Sequence, residues 1–252
     1  MKLNKKAVKA PLPRHWIADW AFNILMLVWA TSVMAQPFVV PTGSMESTIM
    51  TGDHIIVDKI AYSPAGPISK HLLPYQDVHR GDIVVFRYPL NINTPYVKRV
   101  IGVPGDRVRL HHNQLYLNGK LTQEPYINLD GPNDGAYWAD FPSVLPAGFR
   151  FRRGAEMFRD YVKDGELHVP EGQYLCLGDN RQNSEDSRDW GLVPRENITG
   201  KPVVIWWSFD ASTEHLATYS PGQVWNLATN FFSKTRWDRT LQFVRSYPLG
   251  AD

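Results

Sequence analysis

The sequence has a single cysteine and almost no net charge. Cys176 stands alone, so no internal disulfide can form, and an isolated cysteine is more often a buried apolar side chain than a nucleophile. The formal net charge is +2 over 252 residues, and no basic stripe alternates with aromatic residues. These absences give no indication of nucleic acid binding. Internal repeats and low-complexity regions are absent too.

Long apolar runs are also scarce, and only residues 16–36 form one. This run contains one charged residue, Asp19. About 21 residues at about 1.5 Å each span about 31 Å, the thickness of one bilayer core. Pro37 and Pro41 follow and would end a helix. The run is preceded by the basic residues Lys2, Lys5, Lys6, Lys9 and Arg14, which predicts a cytoplasmic N-terminus.

The sequence therefore predicts three parts. Residues 1–15 form a cytoplasmic basic segment, residues 16–37 a single transmembrane anchor, and residues 38–252 an extracytoplasmic domain. A cleaved signal peptide is the alternative, because Val33-Met34-Ala35 resembles a small-residue cleavage pattern. The length of the run favours an anchor that stays attached.

Helical periodicity is rare after residue 54. Short runs rich in Val, Ile and aromatic residues predict strands, namely DHIIVDKIAY, GDIVVFRYP, YVKRVIGV and KPVVIWWSF. Residues 108–121 predict two strand–turn units, with Asn118-Gly119 as a hairpin turn. Residues 123–172 predict an irregular or small β insertion, and only residues 222–232 suggest a helix. The chain is thus predicted to be mainly β.

Two residues in separate stretches suggest nucleophilic chemistry. Ser44 lies in PTGSM, just after the apolar run, and Lys98 lies in a predicted strand. Alternation places positions 96, 98 and 100 on one face and 97, 99 and 101 on the other, and neither face is plainly polar. A desolvated lysine loses its proton readily and can activate a serine, whereas arginine stays protonated. Lys98 is therefore the candidate base, and Arg99 the candidate partner of a carboxylate.

Together, three motifs resemble the type I signal peptidase family of membrane-bound Ser/Lys proteases. The first comprises Pro41, Thr42, Gly43, Ser44, Met45, Thr48, Gly52 and Asp53, with departures from the family pattern at Ser47 and Ile49. The second comprises Lys98, Arg99, Gly102, Pro104, Gly105 and Asp106. The third comprises Gly178, Asp179, Asn180, Ser184, Asp186, Ser187 and Arg188. The resemblance covers roughly residues 16–206.

The resemblance implies a fold and a set of roles. The fold would be mainly β: an antiparallel β catalytic core with a smaller β domain inserted at about 108–174, preceded by one N-terminal transmembrane helix. Ser44 would be the nucleophile and Lys98 its base. The oxyanion hole would comprise the Ser44 backbone N–H and the Thr42 hydroxyl, and Ser184 would hydrogen-bond and orient Lys98. The structural support of the site would come from Asp186, Arg188 and Arg99.

No cofactor and no metal are expected. A Ser-His-Asp mechanism would need one of the eight histidines, and His54 lies ten residues from Ser44, beside Asp53. His111 and His112 fall in a predicted turn, where a metal site would need further ligands that the sequence does not reveal. Neither a histidine-based mechanism nor a metal site is favoured.

The function implied is a membrane-anchored serine endopeptidase that removes N-terminal signal peptides from exported pre-proteins after small residues. Its partners would be signal peptides, membrane lipid and the protein secretion machinery, with no nucleic acid. It would lie in the bacterial cytoplasmic membrane. Three alternatives are a specialised relative such as a conjugative-pilin maturation peptidase, a soluble Ser/Lys autoprotease like the SOS-response repressors, and a non-catalytic anchored β binding domain.

Overall fold

The computed structural model describes residues 16–62, 75–132, 135–146, 148–211 and 229–250. Helix α1 is Trp16–Val33 and strand β1 is Ala35–Val39. The predicted basic segment 1–15 lies outside the described residues. The helix is shorter than the predicted anchor 16–37 because Ala35, Gln36 and Pro37 already pair with strand β2. Across the described ranges, no helix is both long enough and apolar enough to cross a membrane.

The larger sheet is antiparallel and contains eight of the thirteen strands of the described residues. Besides β1 it contains β2 (Asp53–Asp58), β3 (Ile83–Tyr88), β4 (Asn91–Gly102), β10 (Gln173–Leu177), β11 (Val193–Pro194), β12 (Ile198–Ser208) and β13 (Gln242–Phe243). The order is β1-β2-β12-β3-β4-β10-β11, and β13 pairs with β12. The four runs predicted as strands contain β2, β3, part of β4 and most of β12, respectively. Strand β4 lies between β3 and β10, and its residues 98–102 are all buried.

The smaller sheet is also antiparallel. Its strands are β5 (Arg107–His111), β6 (Gln114–Leu117), β7 (Lys120–Thr122), β8 (Val162–Lys163) and β9 (Glu166–His168), in the order β7-β6-β5-β9-β8. The predicted Asn118-Gly119 turn is confirmed, with φ of 52° and 81°. The mainly β, antiparallel prediction is confirmed as well. The domain division at about 108–174 stays a prediction.

Three short helices were not predicted. Helices α2 (Ala136–Ala139), α3 (Arg152–Tyr161) and α4 (Ser187–Trp190) connect the strands, with a 3₁₀ turn at Arg195–Asn197. Helix α3 falls in 123–172, where only irregular or β structure was predicted. Its buried residues Gly154, Met157 and Phe158 recur at helical spacing, but the helix has only 10 residues. The surrounding segment is rich in Pro, Gly and Asp, which favoured an irregular interpretation. Residues 229–234 are helical, which agrees with the end of the predicted helix 222–232; residues 222–228 lie outside the described ranges.

A buried apolar cluster fixes the loop between β1 and β2. Met45 and Ile49 are fully buried and pack with Val40, Ile55 and Ile83. Burying a side chain of this size contributes about 1.5–3 kcal/mol. Ser44, which directly precedes Met45, therefore lies on a loop that is anchored to the core.

Candidate active site

Ser44 occupies a short turn that its neighbours hold in place. The Glu46 N–H donates to Gly43 O at 3.1 Å, and the Ile49 N–H donates to Met45 O at 2.9 Å. Ser44 itself is 8% exposed. The turn thus fixes the backbone of a serine that is largely buried.

The Lys98 side chain lies on strand β4 and points at this hydroxyl. Nζ donates a hydrogen bond to Ser44 Oγ at 2.5 Å, across 54 residues of sequence. Lys98 is 4% exposed, and its Nζ lies 5.6 Å from the centre of the Tyr96 ring. The structure therefore brings the candidate nucleophile and the candidate base into contact.

Burial determines the charge state of this amine. Desolvation lowers the pKa of Lys98 from 10.5 to about 8, although the Asp186 and Asp179 carboxylates oppose the shift. A lysine in this range is partly neutral near physiological pH. The neutral amine can accept a proton from the hydroxyl that it contacts.

Arg99 projects to the opposite face of β4 and has a different environment. Its Nε and Nη2 donate to the two oxygens of Asp179 at 2.8 and 2.7 Å, and Nη1 donates to Gly81 O at 2.8 Å. The guanidinium also stacks 3.8 Å from the centre of the Tyr126 ring. Both cations of the strand are buried, but only Arg99 forms an ion pair. Asp179 supplies the carboxylate partner that the sequence left unnamed.

The loop after β10 forms hydrogen bonds to the turn that contains Ser44. The Asn180 N–H donates to Ser44 O at 3.2 Å, and Asn180 Nδ2 donates to Gly43 O at 3.3 Å. A Cβ on Gly178 would lie 2.4 Å from Ser44 O, so only glycine allows this approach. Asn180 belongs to the third motif, but nothing in the sequence indicated that it would hold the serine turn.

A buried ion pair fixes the same loop. Arg188 Nε and Nη2 donate to Asp186 at 2.9 and 2.8 Å, and both residues are fully buried. Asp186 also accepts from the Gly178 N–H at 3.0 Å. The guanidinium lies 4.3 Å from the centre of the Trp138 ring. The pair holds together the two ends of the loop, at Gly178 and at α4.

Ser184 is near the expected place but lacks the expected bond. It is 3% exposed, yet among the described residues its hydroxyl has no hydrogen-bond partner. No hydrogen bond to Lys98 is present among the described residues, and Ser184 Oγ packs against Gly178. Thr42 is exposed beside Ser44. Its hydroxyl and the Ser44 N–H find no acceptor in the described part of the chain.

Comparison with known proteins identifies the relatives of this site. A family model described as "Signal peptidase, peptidase S26" matches residues 14–207. The chain is 34% identical over 233 residues to signal peptidase I of Pseudomonas fluorescens, covering 87% of this chain and 80% of the relative. It is 36% identical over 208 residues to signal peptidase I of Rickettsia typhi, covering 76% and 79%. The chain belongs to the S26 signal peptidase family.

A crystal structure of a signal peptidase I from Enterococcus faecalis is also similar. It is 31% identical, with a TM-score of 0.37, and the match covers 50% of this chain and 97% of that one. Family membership makes this chain a hydrolase, a serine peptidase that cleaves signal peptides.

The histidine nearest to Ser44 in sequence faces elsewhere in this peptidase. The His54 ring lies 4.6 Å from the Trp207 ring and 5.6 Å from the Trp206 ring, measured between centroids. Its Nδ1 is 3.2 Å from Gly52 O. Desolvation lowers the pKa of His54. These contacts describe a packed aromatic side chain, and the side chain that contacts the Ser44 hydroxyl is that of Lys98.

Proposed function

We propose that this chain is a membrane-anchored serine endopeptidase that uses a Ser44/Lys98 dyad to cut signal peptides from exported pre-proteins. The 2.5 Å contact between Ser44 Oγ and the Lys98 amine carries the proposal. Burial supports it, since the lowered pKa of Lys98 provides a neutral base. Cleavage after small residues is part of the proposal through the family resemblance.

In the acylation step, the Ser44 hydroxyl gives its proton to the neutral Lys98 amine while Oγ attacks the scissile carbonyl carbon. The resulting ammonium then donates that proton to the departing amine of the mature protein. An ester between Ser44 and the signal peptide remains. In the second step, Lys98 takes a proton from the water that attacks the ester carbon. The bond from that carbon to Ser44 Oγ then breaks, Lys98 returns the proton to Oγ, and the signal peptide leaves.

The developing oxyanion requires donors that are not already engaged. We propose the Ser44 backbone N–H and the Thr42 hydroxyl, which have no acceptor within the described ranges. Such donors act on charge that appears only in the transition state. Met45 and Ile49 pack into the core, so the turn that carries these donors would be in place before substrate binds.

Ser184 is proposed to orient the Lys98 amine during turnover. Its hydroxyl is buried and has no other partner among the residues described. The Asp186–Arg188 and Arg99–Asp179 pairs would support the site by fixing the loop and strand around it. None of these three groups would exchange protons with substrate.

The membrane arrangement belongs to the proposal as well. Residues 1–15 would be cytoplasmic, residues 16–37 would anchor the chain in the bacterial cytoplasmic membrane, and residues 38–252 would lie outside with an inserted domain at about 108–174. Large apolar side chains along α1 support this, since Trp16, Trp20 and Leu25 are 63–69% exposed and need an apolar cover. Lipid would then be a partner, and the secretion machinery would deliver substrate close to Ser44.

The decisive experiment combines cleavage with mutagenesis. Detergent-solubilised chain is incubated with a labelled pre-protein, and the new N-terminus of the product is sequenced. We expect Ser44→Ala and Lys98→Ala each to abolish cleavage, and the double variant to be no worse than either, since residues that act as a unit are not additive. Residual cleavage by Ser44→Ala would overturn the dyad. Cleavage restricted to pilin precursors would identify the specialised relative instead.

A further inference from the structure

Two consecutive histidines share one side of a hairpin turn on the smaller sheet. His111 ends β5, and the turn residues His112 and Asn113 have φ of 49° and 62°. Neighbouring side chains of a regular strand point to opposite faces. The left-handed conformation of His112 breaks this alternation, and the two imidazole rings lie 4.1 Å apart between centroids.

A carboxylate from a distant part of the chain completes the group. Asp140 Oδ1 is 2.7 Å from His111 Nδ1, and Asp140 Oδ2 is 3.9 Å from His112 Nδ1. One ligand atom from each of the three residues can be chosen so that all lie within 4.8 Å of one another. The sequence alone left the histidine pair without a further ligand, and the tertiary structure supplies it.

Backbone hydrogen bonds hold this carboxylate in place. The Leu110 N–H donates to Phe141 O at 2.7 Å, and the Asn113 N–H donates to Ala139 O at 2.9 Å. The His112 N–H donates to Asp140 Oδ1 at 2.9 Å. The two residues that flank Asp140 in the chain are therefore hydrogen-bonded to the hairpin. The three side chains belong to one braced unit, so little further ordering is needed to bring them together.

The donor set suits a particular class of ion. Two imidazole nitrogens and one carboxylate oxygen favour zinc, copper or nickel over magnesium and calcium, which prefer oxygen ligands. With metal–ligand bonds of about 2.0–2.1 Å, ligand atoms of a tetrahedral zinc site lie about 3.3 Å apart. The observed separations of 2.7 and 3.9 Å lie on either side of this value. The group is exposed, so water can supply the remaining ligand.

We propose that His111, His112 and Asp140 form a binding site for a divalent transition metal ion, with Zn²⁺ as the reference ion. Capping of the turn alone does not account for the group, because capping uses the His112 backbone N–H and not its ring. The bound ion joins the β5–β6 hairpin to residues 139–141. Metal binding therefore raises the stability of the folded chain by mass action.

The chain provides a closely matched control in His79. Its N–H donates to Asp82 Oδ2 at 3.0 Å, and its Nδ1 lies 3.8 Å from the same atom. These values parallel those of His112 and Asp140, but no second histidine accompanies His79 among the three-residue groups found in the described ranges. Loss of His79 removes an exposed histidine–aspartate pair without touching the proposed site.

The test is calorimetric titration of the full chain, freed of metal by a chelator, with ZnCl₂ and separately with MgCl₂. We expect saturable zinc binding by the wild type and by His79→Ala. His112→Ala and Asp140→Asn should bind at least about tenfold more weakly. Magnesium should produce no binding. Thermal unfolding should shift upward with zinc in the wild type and His79→Ala, but not in His112→Ala.

Three results would overturn the site: no saturable zinc binding by the wild type below about 1 mM, unchanged binding by His112→Ala, or equal loss in His79→Ala. His112→Ala keeps the backbone donor that caps the turn, so its folding is preserved even if Asp140→Asn loosens the loop. Circular dichroism of each variant checks this point.

Discussion

At the scale of single residues, the burial of Lys98 favours a neutral catalytic amine but lowers the stability of the folded chain. Its pKa falls from 10.5 to about 8 in the folded chain, so the unfolded chain holds the proton more tightly. Each pKa unit corresponds to about 1.36 kcal/mol, so the folded state carries a penalty of roughly 3 kcal/mol below pH 8. The penalty shrinks as pH rises from about 8 to 10.5 and is absent above both values.

The first prediction uses Lys98→Met, which keeps the apolar stem and removes the amine. We expect an inactive protein that is no less stable than the wild type at pH 7, and more stable by about 1–3 kcal/mol, with lost hydrogen bonding offsetting part of the gain. Urea unfolding at pH 7 and pH 10 measures the difference, which should shrink at the higher pH. The exposed Lys120→Met serves as control and should change little. Destabilisation by several kcal/mol at pH 7 would make Lys98 a charged structural residue.

The pH profile of cleavage gives a second prediction. Activity requires the neutral amine, so kcat/KM should rise with pH and level off above about pH 8, the folded pKa of Lys98. Steady-state cleavage of a pre-protein between pH 6 and about pH 10 measures it. A profile that falls over this range would contradict a lysine base.

A third prediction concerns Thr42, which is exposed beside the nucleophile. Thr42→Val keeps the side-chain shape and removes the donor. We expect kcat to fall by about 10²–10³, as for the loss of one oxyanion-hole donor. An unchanged kcat with a raised KM would instead identify Thr42 as a substrate-binding residue.

At the scale of elements, the C-terminal segment braces the nucleophile loop. Arg239 Nη2 donates to Asp53 Oδ2 at 2.6 Å and to Thr48 O at 3.1 Å. Asp53 is fully buried at the start of β2 and also accepts from the Ser208 hydroxyl at 2.6 Å. Residues 48–53 are thus tied to residues 229–250, which lie beyond the stretch matched by the family model.

A fourth prediction follows for Arg239→Gln. Without Arg239, the buried Asp53 keeps only the more distant Arg236, at 3.7 Å, as a cationic partner. The loss of a charged hydrogen bond should therefore lower stability by about 1.5–3 kcal/mol. Arg107→Gln is the control, because Arg107 and Glu166 form a partly exposed pair at 3.6 Å whose loss should cost less than about 1 kcal/mol. Urea unfolding of both variants decides the comparison. Equal effects would mean that the C-terminal contact does not brace the loop.

At the scale of the whole molecule, strand β1 joins the helix to the core. Ala35 pairs with Asp58 and Val39 with His54, so β1 is one edge of the larger sheet. A shortened chain should therefore begin at Ala35. A chain that begins at Phe38 would lack three of the five residues of β1.

The fifth prediction compares these two shortened chains. The chain that begins at Ala35 should fold and cleave in detergent, with lower efficiency than the full chain because the tether no longer concentrates it at the membrane. The chain that begins at Phe38 should be less stable, since it loses the pairing of residues 35–37. Unfolding and cleavage assays measure both. Equal stability would show that these pairs contribute little.

Much of the chemistry could be read from the sequence, because it depends on residue type and local order. The β-rich runs, the Asn118-Gly119 turn and the three motifs are local patterns, and the structure or the family comparisons agree with them. Helix α3 was missed because it has only 10 residues and lies in a segment rich in Pro, Gly and Asp. The orienting role of Ser184 stays a proposal, since the direction of its hydroxyl depends on packing that a motif does not describe.

The sequence by itself determined that a buried lysine and a loop serine exist on a mainly β chain of the S26 signal peptidase family. Only the tertiary structure placed the Lys98 amine 2.5 Å from Ser44 Oγ and identified Asp179, 80 residues away in the chain, as the carboxylate that Arg99 binds. It also brought Asp140 to the histidine pair. The physical reason is that strand alternation separates two neighbouring cations, whereas the partner on each face depends on sheet order and register, which arise from contacts between distant segments.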